Sequence, residues 1–258
     1  MKPVTVEDIR KLALPARGSH KGQNGRLLVI GGSHLFHAAS LWALTVASRI
    51  VDLVHYCSVS ENNELIKKEF RNGIVVPRSD VAEYIEEDDA ILIGPGMTRD
   101  SETEALTNTL LKKYPRKQWV LDAGALQMMD ISLIPKNAIL TPHHQEFAHA
   151  FGTQDVTDVA KKYHCIVLLK GEKDIASNGK ETREITGGNP GMTKGGTGDV
   201  LAGLIAALAC KNDPFLATIA GSFINKKAGD ELFKKVGPFF NATDLANQIP
   251  LTMKELLL

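Results

Sequence analysis

The 258-residue chain is 43% hydrophobic, 23% charged and only 6% aromatic, an ordinary globular composition that excludes collagen-like, disulfide-framework and disordered classes. Its 30 Lys and Arg balance its 30 Asp and Glu, so the charge gives no reason to expect a nucleic-acid partner. The length allows one large domain or two small ones, and a chain of this size buries roughly three quarters of its unfolded surface without staples.

In chain order, the first eight residues lack the apolar stretch of a signal peptide. Thr5 followed by Asp8 has capping-box spacing and predicts a first helix over 6–12. Strands are then predicted over 26–30, 53–57, 74–76, 90–93, 119–121, 138–140 and 166–169. Several are apolar throughout, as parallel strands covered on both faces are. Helical patterns at 39–50, 60–70, 101–114 and 155–163 fall between them. This alternation predicts an α/β fold with a doubly wound, mostly parallel central sheet and helices on both faces. Asn178-Gly179 between 175–177 and 181–185 predicts a small hairpin. Beyond Gly196 the pattern turns helical over 197–210 and 214–236, with a short segment from Thr243. No linker or repeat divides the chain, so 1–258 reads as a single domain. The longest apolar stretch, 201–210, is far shorter than the ~20 residues of a membrane span, and no membrane partner is expected. Cys57, Cys165 and Cys210 are odd in number, far apart and set among apolar neighbours, with no Cys-x-x-Cys pair. They read as small buried hydrophobes of a cytoplasmic protein.

The chemistry concentrates in Gly187–Asp199, which holds six glycines in thirteen residues and so cannot be a helix interior or a strand. Glycine admits positive φ and lets backbone N–H groups approach a ligand. The apolar run that follows is a buried helix whose free N–H groups face back into the loop, a terminus suited to phosphate. Asp199 falls in its first turn. An isolated Gly-Asp pair would merely complement the helix dipole; beside a phosphate site the carboxylate can accept a proton from an attacking hydroxyl. The helix terminus is expected to hold its pKa low. The loop is no Walker A sequence, and no Gly-x-Gly-x-x-Gly follows the first strand, which argues against P-loop ATPases and dinucleotide dehydrogenases.

Other loops fall at the carboxyl ends of strands, where open α/β sheets bind ligands. Gly31-Gly32-Ser33 and Gly94-Pro95-Gly96 are weak signals singly, because many such turns contain glycine. Thr141-Pro-His-His-Gln-Glu146 offers at most one histidine to a ligand. His144, Glu146 and His149 approach a metal-site spacing but lack further ligands, and no metal-ligating residue is assigned. Lys170-Gly171 carries either a solvated charge or a phosphate neutraliser.

Together these segments resemble the ADP/ATP-dependent NAD(P)H-hydrate dehydratase family of the ribokinase-like superfamily. The likeness begins at Lys21–Ser33 and continues through Gly94–Gly96, Leu121-Asp-Ala123, Thr141-Pro-His143, Glu146-Phe147 and Leu169-Lys-Gly171. It closes with Gly188-Asn-Pro-Gly-Met192, Gly195-Gly-Thr-Gly-Asp199, Ala242–Leu245 and Ile249-Pro250. Asn-Pro-Gly-Met followed by Gly-Gly-Thr-Gly-Asp is the specific part; Gly-Thr-Gly-Asp alone would indicate only the superfamily. The resemblance implies repair of a damaged cofactor. Water added to the nicotinamide ring of NADH or NADPH is removed at the expense of ADP or ATP. Phosphorylating the ring hydroxyl makes it a better leaving group.

On that likeness Asp199 is the catalytic base. The N–H groups of Gly196, Thr197 and Gly198 hold the transferred phosphate, and Gly195 with Lys170, Gly171, Glu172, Lys173 and Asp174 contact the nucleotide. Ala39, Gly96, His143 and Asn189, with Asp199, line the hydrated-nicotinamide side. Mg²⁺ would bridge the phosphates with few protein ligands. A homo-oligomer, dimer or tetramer, is implied as well. An epimerase domain often fused ahead of this one is not expected, with only about 25 residues before the first long strand.

The chain departs from the family pattern at Ala38 and Ser40, at Thr98, Gly124 and Gln145, and at Thr193-Lys194, where Lys194 adds a charge near the phosphates. Most of these changes fall on the substrate side. A kinase of a sugar or vitamin precursor would use the same loop and the same Asp199, ending at the phosphorylated alcohol. A nucleotide-binding regulator without catalysis is the remaining alternative, against which an intact Asp199 speaks.

Overall fold

The apolar runs become strands because each lies between two layers of helices. In the computed structural model, which describes residues 1–258, the strands are β1 (Lys2–Pro3), β2 (Arg26–Ile30), β3 (Leu53–Cys57), β4 (Ile74–Val75) and β5 (Ala90–Ile93). They continue with β6 (Gln118–Leu121), β7 (Ile139–Leu140), β8 (Ile166–Leu169), β9 (Asp174–Ser177) and β10 (Thr182–Ile185). All ten join one sheet in the order β1-β10-β9-β8-β7-β6-β5-β2-β3-β4. From β8 through to β4 every neighbouring pair is parallel, with Leu28 opposite Ile91, Ile91 opposite Trp119, and Ile139 opposite Ile166. The hairpin read at Asn178-Gly179 is antiparallel β9–β10, and β9 is also antiparallel to β8.

The early helices are α1 (Val6–Ile9), α2 (His37–Ala47), α3 (Ser60–Glu69), α4 (Val81–Glu87) and α5 (Ser101–Lys113). Then come α6 (Ala123–Met128), α7 (His144–Phe151), α8 (Val156–Tyr163), α9 (Thr197–Ala209), α10 (Pro214–Val236) and α11 (Ala242–Leu257). Strand side chains alternate between two cores. Leu27, Val29, Leu92 and Val120 join α2, α9, α10 and α11. Leu28, Ile30, Ile91 and Trp119 join α4, α5, α7 and α8. The first core has 45 buried residues against 26, so α9 sits in the thicker layer. All three cysteines are free and buried, and burial pushes the Cys57 thiol up to about 11 and Cys165 to about 12. No helix is long and apolar enough to cross a membrane.

The structure departs from the sequence reading in several elements. β1, α4, α6 and α7 were not foreseen, and the first helix ends at Ile9 rather than residue 12. α11 is a full helix, not a short segment, although Pro250 lies inside it. Proline removes the bond its N–H would give to the carbonyl four residues back. Here that carbonyl, on Ala246, accepts from Arg49 Nη1 at 3.1 Å, so the helix continues through the proline. α7 begins where the polar run Pro142–Glu146 suggested only loop. His143 Nδ1 accepts from the Glu146 N–H at 3.1 Å and Glu146 Oε2 accepts from the His143 N–H at 2.8 Å, a reciprocal cap with histidine as its first member.

Candidate active site

Five parallel strands deliver their carboxyl ends to one edge. The glycine turns after β2 and β5 lie beside Asp122 after β6, Thr141 after β7 and Lys170 after β8. The order reverses between β2 and β5, the switch point at which such sheets bind ligands. The glycine-rich segment then brings in the start of α9. Gly196 precedes it with φ +94°, and a Cβ there would lie 2.4 Å from the Trp42 ring, so both backbone and space require glycine. The Thr197 hydroxyl donates to the carbonyls of Met192 (2.7 Å) and Lys194 (2.9 Å), drawing the loop closed under the helix start. Asp230 accepts from the Gly188 N–H and from Asn189 Nδ2, both at 3.2 Å, and pins the other end.

The charges at this edge are coupled. Lys170 Nζ donates to Asp122 Oδ1 at 2.8 Å, and the Thr141 hydroxyl donates to the same oxygen at 2.8 Å. Burial works against the Lys170 charge, but the carboxylates of Asp122, Glu146 and Asp199 hold its pKa above the usual lysine range. Gly198 brings the α9 backbone close to this ammonium; a Cβ there would lie 3.7 Å from Nζ. Asp199 overturns one expectation. Its pKa is not held low by the helix start; it is pushed up to about 7. Burial is the main cause, Asp122 and Glu146 add to it, and Lys170 opposes without cancelling it. A carboxyl titrating near neutrality is a stronger base than one held low, and is poised for proton transfer.

Two cavities flank this point. The first, about 520 Å³, is lined by Lys170, Gly171, Glu172, Asp174, Thr197 and Gly198 among others. The second, about 770 Å³, is lined by Ala39, Gly96, His143 and Asp199, together with Glu146 and Gln127. Successive residues 198 and 199 thus face different chambers. His143 is half-exposed, and because its Nδ1 accepts a backbone N–H, the ring proton sits on Nε2. Glu146 is held by Gln127 Nε2 at 2.9 Å.

The structure places several of the expected site residues elsewhere. Asn189, grouped with the nicotinamide side, lines the first cavity instead, because Asp230 holds its amide there. Lys173 lines neither cavity; it is exposed and its Nζ pairs with Glu184 Oε1 at 3.4 Å. Gly195 and Gly196 also line neither, and shape the turn behind the helix start. Lys194 is turned to the Pro238 carbonyl and sits 5.4 Å from the centre of the Phe240 ring, away from the phosphate position expected of it. No group of three or more His, Cys, Asp or Glu could hold a metal ion.

Lys226 was missed. It is buried on α10, and its Nζ donates to the carbonyls of Gly171 and Glu172, both at 3.1 Å, and lies 3.2 Å from Asp174 Oδ1. Asp174 also accepts from the Gly171 N–H (2.9 Å) and from Ser222 Oγ (2.7 Å), so the 170–174 turn is clamped from inside. In the sequence Lys226 reads as one of two adjacent solvated lysines; the buried face of α10 was the available signal. Of the departures, Ser40 lies beneath the site, bonded to the Tyr56 hydroxyl at 2.8 Å. Gly124 and Gln145 line the second cavity, and a Cβ on Gly124 would meet the Met97 carbonyl at 2.3 Å.

The comparisons fit this arrangement. A family model described as NAD(P)H-hydrate dehydratase matches residues 27–251. The chain belongs to the NAD(P)H-hydrate dehydratase family. An ADP-dependent (S)-NAD(P)H-hydrate dehydratase of Nitrosopumilus maritimus is 35% identical over 282 residues, covering 98% of this chain and 97% of that protein. A bifunctional NAD(P)H-hydrate repair enzyme of Methanocaldococcus jannaschii is 36% identical over 260 residues, covering 96% of this chain. The chain spans 52% of that relative's length, about half. The fold is ribokinase-like. An ADP/ATP-dependent NAD(P)H-hydrate dehydratase from Bacillus subtilis, co-crystallised with ATP and Mg²⁺, superposes with a TM-score of 0.87 at 24% identity, covering 99% of this chain and 98% of its own. Within the family frame, Asn189–Met192 lies inside the loop between β10 and α9, and Gly195–Asp199 spans the end of that loop and the first three residues of α9.

Proposed function

We propose that residues 1–258 act as one ADP-dependent NAD(P)H-hydrate dehydratase domain of the cytoplasm, restoring NADH or NADPH from the hydrated form. The observation that carries this reading is the placing of Asp199, with a pKa near 7, between a cavity at the α9 start and a second cavity at the sheet's switch point. The relatives named for ADP-dependent dehydration support it.

In this reading ADP occupies the first cavity, with its terminal phosphate at the N–H groups of α9 and beside Lys170. The hydrated ring occupies the second, with its hydroxyl at Asp199. Asp199 takes the hydroxyl proton as that oxygen attacks the β-phosphorus; an O–P bond forms, the bridging P–O bond breaks, and AMP departs. The ring phosphate then leaves with the C–O electron pair, pushed by the ring nitrogen. Loss of a proton from the adjacent carbon restores the double bond. Lys170 offsets charge on the transferred group, and Asp122 holds Lys170 in place. His143, its proton on Nε2, offers a donor to the ring's polar substituents. Asp122 is already engaged by Lys170 and Thr141, and no three acidic or histidine groups are placed to ligate one ion, a donor set that fits magnesium carried in by the nucleotide with its waters retained. There it would neutralise phosphate charge.

The test is incubation of the chain with hydrated NADH, ADP and Mg²⁺. Recovery of the reduced-nicotinamide absorbance, with AMP and phosphate released in equal amounts, is expected. A stable phosphorylated product without recovered absorbance would make the chain a small-molecule kinase instead.

A further inference from the structure

The first cavity contains a polar group that binding of phosphate leaves unexplained. Asn225, on α10, lines it, is 4% exposed, and its Oδ1 has no hydrogen-bond partner. Buried side-chain oxygens are nearly always bonded, so an orphan beside a cavity marks a place for a donor that arrives with a ligand.

The surroundings of Asn225 differ from those of the phosphate end. That end carries Lys170 and the backbone of Gly198. Asn225 lies among Met192 and Leu201, and its neighbour Lys226 is already spent on the Gly171 and Glu172 carbonyls and Asp174. Met192 packs its Sδ where a Cβ on Gly229 would lie, 2.4 Å away, and Gly229 is one turn beyond Asn225 on the same side of α10. Leu201, one turn into α9, lines the cavity too. Asn189 also lines the cavity, but its amide is spent on Asp230 and the Gly191 N–H. A cationic end and an apolar end with one unpaired amide oxygen thus match a molecule with an anionic tail and a flat heteroaromatic ring.

We propose that Asn225 is the residue that selects the base of the nucleotide, its Oδ1 accepting from the exocyclic amino group of adenine. A side-chain amide can pair with that amino group and a neighbouring ring nitrogen together, a geometry asparagine uses for adenine elsewhere. This rests on the reading of the first cavity as the adenine-nucleotide site. Neither the glycine loop nor Lys170 can distinguish one base from another, since both address phosphate.

The test is calorimetric titration of the full chain with ADP and with purine riboside 5′-diphosphate, which lacks only the amino group. The unaltered chain is expected to bind ADP about tenfold tighter. Asn225→Leu, of similar volume, is expected to weaken ADP about tenfold and to leave the purine riboside diphosphate unchanged. Equal affinity of the unaltered chain for both ligands would overturn the proposal, and needs no variant to be folded. So would an Asn225→Leu chain that keeps the preference, or one that weakens both ligands alike, which is the mark of a merely structural role. If the unaltered chain binds neither ligand, the reading of the cavity itself has failed, an outcome distinct from lost discrimination.

Discussion

Asp199 and Lys170 are two charges set between chambers, and their ionisation decides what the site can do. In its proposed role as base Asp199 accepts a proton, so kcat/KM should fall about tenfold per pH unit below about 7 and level off above it. Asp199→Ala should lower kcat by about a thousandfold or more while ADP binding persists. Lys170→Ala should raise the KM for nucleotide more than it lowers kcat; the reverse would give Lys170 a role confined to the transition state. Removing Lys170 also removes the one charge that opposes the rise of the Asp199 pKa, so the acid limb should move to higher pH. Asp199 has a stability consequence as well. The folded chain keeps its proton up to about pH 7, whereas the unfolded chain releases it in the ordinary carboxylate range. Across that window unfolding releases a proton, and stability falls as pH rises. Asp199→Asn should therefore stabilise the fold by about 1–2 kcal/mol at pH 8 and by almost nothing at pH 4, read from thermal midpoints.

At the scale of elements, α9 is the part on which the site depends. It is apolar on every side because it is buried between α2 and α10, and its contacts leave no slack. A Cβ on Gly203 would lie 2.6 Å from the Ala43 backbone, so Gly203→Ala should destabilise the fold by about 1–3 kcal/mol, measured by the denaturant midpoint. That helix was legible in the sequence, since a dense glycine run entering a long apolar one has few other readings. The parallel strands were legible too, because they are apolar on both faces. α11 was not, since Pro250 reads as a stop unless the Arg49 side chain, distant in sequence, is known to take the freed carbonyl. α7 was hidden because its cap is a histidine, whereas serine, threonine and aspartate are the usual signals.

For the whole molecule, the consequence of the sheet order is that separate stretches of chain line two chambers with one short stretch between them. Motifs ahead of residue 150 build the second chamber, and those beyond residue 169 build the first. The second chamber's Asp199 is the one contribution to cross over. This division could not be read from the motifs, which group Asn189 with the nicotinamide side and Lys194 with the phosphates, whereas Asn189 lines the first cavity and Lys194 sits against Phe240. Nor could the raised pKa of Asp199, because burial, its main cause, and the added push of Asp122 and Glu146 arise only when distant stretches of chain are packed around it. The proposed dehydration through phosphoryl transfer needs donor and acceptor in separate pockets with a base at the junction, which is the arrangement of the two cavities about Asp199.

The most direct test of that geometry is a crystal structure of the chain with ADP. The terminal phosphate should lie at the backbone of Gly198 and Asp199, near Lys170 Nζ, with the chamber lined by Ala39, Gly96 and His143 left open. A nucleotide lodged in that second chamber, or a terminal phosphate away from residues 197–199, would contradict it.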